Sequence, residues 1–515
     1  MKTDFDVIVV GAGINGAGIA RDAAMRRLKV LLVDKGDIGG GTSAGSTRLI
    51  HGGLRYLEHF EFGLVRESLR ERETLLRIAP HLVRPLPITI PIYEHSQRGR
   101  ATIRAGMIAY DLLSWGKSLP RHRMLSARET LRQMPGLKTE GLVGSAVYYD
   151  AQVEFAERLV LENVLAAVEY GATVLTYTRV TDFVIDEGLL AGVRLDGNKA
   201  DQFRAAVVVN AAGPWVDRLL NKIETNKERL VGGTKGSHVV VAPFTGAPAS
   251  AVYLEAVSDR RPFFIIPWNG NYLIGTTDVR FEGDPDQVQA EDWEIDYLLS
   301  ETNRAFPGAE LSRDRVLYTY AGVRPLPFTK NHNERSITRR HFLREHPRFG
   351  NLVSVVGGKL TTYRSLAEEC VDLVLRKRKR GFTPSQTARV PLPGASDLEP
   401  DASDLDQSDR FQRWSRVYGS RAKEIAKVAN RLNCDALAAE IVFAFENEFA
   451  KTMADCFLRR TMIGLDADLG LEELEAAASV AQRFLGWSED RAKREVELYK
   501  QEISDRIDNG FHRGQ

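Results

Sequence analysis

The feature that most constrains this chain lies in its first twenty residues. Val7-Ile8-Val9-Val10 is a short β-branched apolar run, which suits a strand buried on both faces of a parallel sheet. It runs directly into Gly11-Ala12-Gly13-Ile14-Asn15-Gly16, the G-x-G-x-x-G spacing. The first glycine of such a turn permits the tight bend. The second lets backbone approach a pyrophosphate, and the third lets the next helix pack on the strand. That helix then aims its free N–H groups and positive dipole end at phosphate. A second strand, Val30-Leu31-Leu32-Val33, ends at Asp34, where an acid is expected to hold a ribose hydroxyl. Glycines alone are a weak signal. Strand, glycines, helix, strand and acid in this order predict a dinucleotide site that includes Gly11, Gly13, Ile14, Asn15, Gly16, Asp34 and Lys35. A Gly-rich turn without a ligand leaves Asp34 unexplained.

Two more strands end in glycine turns. Ala206-Val207-Val208-Val209-Asn210 leads into Ala211-Ala212-Gly213-Pro214-Trp215, and Leu352-Val353-Ser354-Val355-Val356 opens into Gly357-Gly358-Lys359 and a helix. Three such turns converging on one ligand suit a long dinucleotide held permanently, so FAD is expected rather than NAD. The helix after Gly358 would aim its positive end at the flavin and stabilise the charge gained on reduction. The single G-x-G-x-x-G and the lack of a cysteine pair argue against a disulfide reductase.

The 515 residues predict two or three domains, and a net charge of +1 supplies no bulk field for nucleic acid. None of the three cysteines, Cys370, Cys434 and Cys456, forms a C-x-x-C pair, so no metal site and a reducing compartment are expected. No apolar run reaches the ~18 residues of a membrane span. The N-terminal apolar stretch is broken by glycines and followed by Arg21-Asp22, unlike a signal peptide. The expected location is cytoplasmic, with attachment to the inner face of the plasma membrane left open.

The expected fold class is an α/β Rossmann-type FAD-binding domain, an α+β antiparallel-sheet substrate domain and a C-terminal all-α domain. Residues 1–80, 148–225 and 320–382 are assigned to the first, 81–147 and 226–319 to the second, 383–406 to a linker and 407–515 to the third. Pro80 to Pro91 marks the first crossing, with Ile88-Thr89-Ile90 expected as the first strand of the second domain. The segment Gln97 to Met124 mixes Arg98, Arg100, Arg104, Arg121 and Arg123 with Leu112 and Trp115. It reads either as a membrane-interface element or as a solvated helix packing on its own core. The all-α tail shows no evident chemistry.

Five blocks carry a resemblance to a known family: Thr42-Ser43 with Leu49-Ile50-His51-Gly52-Gly53-Leu54-Arg55-Tyr56-Leu57-Glu58, Lys235-Gly236-Ser237-His238, Ile274-Gly275-Thr276-Thr277-Asp278, Gly322-Val323-Arg324-Pro325-Leu326, and Gly357-Gly358-Lys359-Leu360-Thr361-Thr362-Tyr363-Arg364. Together they resemble the FAD-dependent, aerobic-type glycerol-3-phosphate dehydrogenases of the D-amino acid oxidase superfamily. The likeness runs from the N-terminus to about Leu375 and extends into the tail through Asp455-Cys456-Phe457-Leu458-Arg459-Arg460-Thr461.

The resemblance implies oxidation of sn-glycerol 3-phosphate to dihydroxyacetone phosphate, with hydride passing from C2 to the flavin and electrons then to a membrane quinone. Oxygen as acceptor, with peroxide as product, is the alternative. A scaffold without turnover is a third reading. A phosphate dianion calls for guanidinium forks, and Arg55, Arg324 and Arg339 are the candidates, with Tyr56 as a hydroxyl donor. The C2 hydroxyl must lose its proton as hydride leaves. His51 is the candidate base, or else a histidine packed on the flavin ring. Lys359 would bond the flavin or steady the alkoxide, and Arg324 joins them as a catalytic candidate. Thr42, Ser43 and Thr47 are expected at pyrophosphate and ribityl oxygens. Leu49, His51, Gly52, Val180, Ala212, Gly213, Trp215, Gly358, Lys359, Leu360 and Thr361 complete the cofactor set. No cysteine lies near these motifs, so attachment of the flavin is expected to be non-covalent. A homodimer is a further expectation.

Overall fold

The computed structural model describes residues 4–196, 201–223, 228–330, 337–379, 381–396 and 409–511. Its first sheet runs in the order Phe342–Glu345, Leu352–Val356, Gln202–Asn210, Phe5–Val10, Val30–Val33, Thr173–Leu175. All these strands pair in parallel except the edge strand Phe342–Glu345. Phe5–Val10 is buried throughout, as a central parallel strand flanked by helices must be. It lies between Val30–Val33 and Gln202–Asn210, so the strand order reverses beside it. In open α/β sheets a ligand crevice forms outside the carboxyl ends of the strands at such a reversal. Val10 lies opposite Asn210, and Asn210 opposite Ser354. The three glycine turns therefore leave the sheet at one edge, which is why segments hundreds of residues apart meet.

Helix Ile14–Met25 packs under this edge against Ala156–Glu169 and Tyr363–Lys377. Gly11 has φ +106°, and a Cβ on Gly16 would lie 1.8 Å from the Gly11 carbonyl oxygen. Those two glycines are demanded by the turn itself. A Cβ on Gly13 would meet only the Ser43 hydroxyl, at 3.5 Å, so the protein's own packing leaves that side of the turn open.

The second sheet has ten strands and is mainly antiparallel. Val231–Val241 pairs along Val316–Pro327 and also with Asn271–Gly275 and Val279–Arg280. Val83–Tyr93 pairs along Leu142–Val153, and Leu49–Ile50 joins the far side of the latter. The strand expected at 88–90 thus spans eleven residues and includes Pro85, Pro87 and Pro91. Their positions differ by even numbers, so the missing N–H donors all face one neighbour, and the intervening residues keep the other ladder. Two expected boundaries, at 148 and 320, fall inside strands of this sheet, because pairing continues through Val153 and Pro327.

Helix Arg100–Leu113 buries Met107 and Tyr110 but leaves Ile108, Leu112 and the following Trp115 exposed, the last at 70%. It therefore packs by one face and presents an apolar second face flanked by exposed Arg104 and Arg121. No helix among the described residues is long and apolar enough to cross a membrane.

The tail is helical: Asp409–Tyr418, Ala422–Leu432, Ala436–Asn447, Met453–Cys456, Leu474–Leu485 and Glu489–Phe511. The third of these ends at Asn447. A new one starts at Met453, capped by Thr452, whose hydroxyl accepts from the Asp455 N–H while Asp455 accepts from the Thr452 N–H. The stretch expected as a linker is seated on the first domain up to residue 396. Leu392 is fully buried and its N–H donates to the Ile78 carbonyl, and Arg21 donates to the Val390 carbonyl at 2.7 Å. The rest of that stretch, 397–406, lies outside the described residues.

Candidate functional site

One cavity of about 1060 Å³ runs along the shared edge of the first sheet and under the second, at the upper end of the range for a small-molecule site. At one end stand Val33, Asp34, Lys35 and Asp37, and along the floor Gly11, Gly13, Ile14 and Asn15. Thr42, Ser43, Thr47, Leu49, Val180, Ala212, Gly213 and Trp215 line the walls. At the other end stand His51, Tyr56, Arg324, Arg339, Gly358, Lys359, Leu360 and Thr361.

Backbone groups dominate the Asp34 end. The Asp34 carboxylate accepts from the Ala12 N–H at 2.6 Å and the Gly36 N–H at 2.8 Å. It thereby ties the end of the second strand to the glycine turn. Burial pushes its pKa up, and these N–H groups oppose the shift. The Ser43 hydroxyl accepts from the Ile14 N–H at 3.1 Å, at the N-terminus of helix Ile14–Met25. Thr42 donates instead to the Val323 carbonyl at 2.7 Å, and Thr47 bonds His238 Nε2 at 2.9 Å. These two hydroxyls join the loop to the second sheet. Lys35 sits over the Trp215 ring, 4.1 Å from its centroid.

The far end is made of side chains. Asp278 receives both arginines: Arg324 Nη1 on Oδ1 at 3.2 Å, and Arg339 Nη2 on Oδ2 at 2.9 Å. Arg324 also donates to the Thr276 hydroxyl at 3.0 Å and to the Thr277 carbonyl. One carboxylate thus holds two guanidiniums side by side in the cavity wall. Lys359 reaches the Ser68 hydroxyl at 2.9 Å and lies 4.2 Å from the Tyr56 ring centroid. Burial lowers its pKa, opposed by Tyr56 and Glu67.

His51 is positioned by backbone: its N–H donates to the Thr361 hydroxyl at 3.1 Å. Behind it lies a buried hub at Asp150, which accepts from Arg72 at 2.5 Å, from the Tyr110 hydroxyl at 2.8 Å and from the Gly52 N–H at 3.1 Å. Burial pulls the His51 imidazole down to about 4, with the Asp150 charge acting the other way. His51 is therefore neutral at pH 7.

Two expected cofactor contacts stand behind the wall rather than in it. Gly16 is packed on Gly11, and Gly52 is packed on Tyr110, whose oxygen would lie 2.3 Å from an added Cβ. Neither lines the cavity. The Arg55 side chain lies outside the described residues; its backbone belongs to the 3₁₀ turn Leu54–His59 that carries Tyr56. Lys235 bonds Glu291 and Glu294, both at 2.8 Å, and with His238 it braces the second sheet. Sequence reasoning passed over Asp150 and the bridging role of Asp278. Each is an acid in or beside a strand that is otherwise apolar or hydroxyl-bearing, and that misfit is the signal that was available.

The wall fits a flavin dinucleotide. Asn15 Oδ1 and Trp215 Nε1 are buried without a protein partner, and buried polar atoms are rarely left so. Gly13, whose open side meets only Ser43, lines the same cavity. Held there, FAD would rest on Gly13, Ile14 and Ser43 at its phosphates and on Gly357 to Thr361 at its ring.

Comparison with known proteins agrees. The family model "FAD dependent oxidoreductase" matches residues 6–364, and "C-terminal domain of alpha-glycerophosphate oxidase" matches 385–492. A glycerol-3-phosphate dehydrogenase of Synechocystis sp. is 46% identical, covering 97% of this chain and 96% of the relative. A D-erythritol 1-phosphate dehydrogenase of Brucella abortus is 39% identical over 92% of this chain and 97% of its own length. Among solved structures, the glycerol-3-phosphate dehydrogenase of Bacillus halodurans complexed with FAD superposes with a TM-score of 0.80 at 29% identity, covering 99% of this chain and 96% of that one.

Proposed function

This chain belongs to the FAD-dependent glycerol-3-phosphate dehydrogenase family of the FAD-dependent oxidoreductases, and on that premise we propose that it oxidises sn-glycerol 3-phosphate at C2 and delivers the electrons to a membrane quinone. The observation that carries the substrate is the pair of guanidiniums, Arg324 and Arg339, gathered on Asp278 at the Gly357 end of the cavity. A phosphate ester presents oxygens that match such forks. Tyr56 and Arg55, on the adjoining turn, complete the phosphate grip in this reading.

Bound FAD supplies the acceptor for the hydride that leaves C2. The chain's own part is to hold the alcohol and to take the hydroxyl proton. The neutral His51 imidazole accepts that proton, so that C2–H cleavage and O–H cleavage together leave a carbonyl. Lys359, half-buried beside Tyr56, stabilises the negative charge that builds on the C2 oxygen. The second sheet, carrying Thr276, Asp278 and Arg324, covers the site and keeps water from the reacting carbon.

The quinone assignment is supported by the exposed Ile108, Leu112 and Trp115 beside Arg104 and Arg121, a mixture suited to a lipid interface. A second reading, the oxidase, is favoured by the name of the matched C-terminal model. One experiment separates them. The purified protein should show a flavin spectrum that bleaches with glycerol 3-phosphate under argon. Recovery of colour with a soluble quinone analogue, and slow recovery in air, supports the dehydrogenase; peroxide formed at the rate of turnover supports the oxidase. D-Erythritol 1-phosphate, tested in parallel, should bleach the flavin less efficiently; equal or better bleaching would reassign the substrate.

A further inference from the structure

The helical tail is the part of the chain to which neither sequence nor site chemistry gives a task. It meets the nucleotide end of the cavity chiefly through one short element. Helix Met453–Cys456 continues as a single π-helical turn, Phe457–Thr461, a distortion that recurs at functional sites. From that turn two consecutive arginines bond one carboxylate: Arg459 Nε to Asp37 Oδ2 at 2.6 Å, and Arg460 Nη2 to Asp37 Oδ1 at 2.7 Å. Asp37 lies three residues beyond Asp34, on the loop whose Gly39 N–H donates to the Ala12 carbonyl. Arg459 also bonds Asp455 at 2.7 Å. Asp455 accepts from the Tyr177 hydroxyl, and Lys451 donates to the Thr176 carbonyl at 3.0 Å. Tyr177 N–H in turn donates to Gly36, and Thr178 N–H to the Asp34 carbonyl.

The tail therefore grips both loops that flank Asp34, the one after the second strand and the one after Leu175. It also enters the wall itself: Arg459 and, from the last helix, Glu502 line the cavity together with Asp37 and Tyr177. All of Arg459, Arg460, Asp37 and Asp455 are buried. A bond between ions taken out of water holds firmly only while both partners are present. For a dinucleotide seated with its adenosine half at Asp34, these loops are the wall that must open before it leaves.

We propose that the tail domain is a clasp on the adenosine end of the FAD site, in which Arg459 and Arg460 hold the Asp37 loop shut and so set how long the cofactor stays. This rests on the cavity being the FAD site. Arg459 and Arg460 act here as positioning residues, and the reacting carbon lies at the opposite end.

The test uses the full-length holoenzyme. FAD release is followed by free-flavin fluorescence after dilution, with helicity followed in the same sample by circular dichroism. Arg459→Gln should release FAD about tenfold faster or more than the parent, from the loss of charge-assisted bonds, while helicity stays constant. Tyr177→Phe, which removes one hydroxyl from the same clasp and keeps its ring, should release FAD several-fold faster. Arg459→Lys should fall between Gln and the parent. Release unchanged in the variants, or release that occurs only as helicity is lost, overturns the clasp. If Arg459→Gln does not fold, Tyr177→Phe decides alone. A parent protein without flavin absorbance would instead overturn the site reading, before any variant is compared.

Discussion

At the Asp34 end of the cavity the wall is backbone: glycine turns, a helix N-terminus and N–H groups that a single carboxylate ties together. At the Arg324 end it is side chain: two arginines on one aspartate, a lysine over a tyrosine ring, and a histidine backed by a buried acid hub. The first kind of site depends on contiguous stretches with fixed spacing, because backbone must follow itself. The second depends on residues that separate strands carry to one place. A mutation at the first end should therefore act on whether the cofactor is held, and one at the second on how fast it is reduced.

The largest effect tests that division most sharply. Gly13→Val should give a folded but colourless protein, because the new Cβ meets only the Ser43 hydroxyl, at 3.5 Å, and the side chain occupies the open side of the turn. Gly11→Val should instead fail to fold, since φ is +106° and the Ala211 carbonyl oxygen is 2.6 Å from the Cβ position. Circular dichroism and flavin absorbance on the two proteins distinguish the outcomes. A yellow Gly13→Val would show that the turn does not face the pyrophosphate.

At the other end, His51→Asn should slow flavin reduction by ~10²–10⁴, the usual worth of a general base, with the absorbance of the bound cofactor retained. Stopped-flow bleaching under argon measures it. A change of only a few-fold would give His51 the packing role. Arg324→Met removes one guanidinium of the half-buried cluster gathered on Asp278. It should lower kcat/KM by about 2–5 kcal/mol, roughly 30- to 4,000-fold. If cofactor loss rather than slow turnover accompanied either change, the two ends would not be separable.

The same contrast explains what could be seen in the sequence. The strand, the glycines and Asp34 were legible because each is a local requirement of one turn, and the three turns meet because Val10, Asn210 and Ser354 are in register. Arg324, Arg339, Lys359 and His51 were legible as residues through the family likeness, and the structure brings all four to one cavity. Their organiser was not. Asp278 sits 46 residues from Arg324 and 61 from Arg339, and no periodicity encodes such a pairing. Gly52 stands behind the cavity wall; a glycine beside a ligand and a glycine beside a core tyrosine look alike in one dimension, and its neighbours Tyr110 and Leu69 distinguish them. The tail's link to Asp37 spans 422 residues through Arg459 and was likewise invisible.

The smallest effect concerns pH, and it separates a buried base from an exposed one. An ordinary histidine near 6.5 would be half protonated close to neutrality and would cut the rate there. Burial lowers the His51 pKa to about 4. The neutral form is the one that can take a proton, so the rate of flavin reduction at saturating substrate, where the free phosphate ester's own ionisation near ~6 drops out, should stay level from neutral pH down to about 5 and fall only as pH approaches 4. The stability linkage has the same sign. The unfolded chain protonates His51 at the ordinary value and the folded chain resists, so this residue lowers stability progressively between pH 6.5 and about 4 and has no effect above. A rate profile taken only over the range where the flavin stays bound, compared between the parent and His51→Gln, isolates the catalytic limb. A half-maximal point near 6.5 in the parent would place His51 in water, at odds with the Asp150 hub and the Thr361 contact that fix it against the cavity wall.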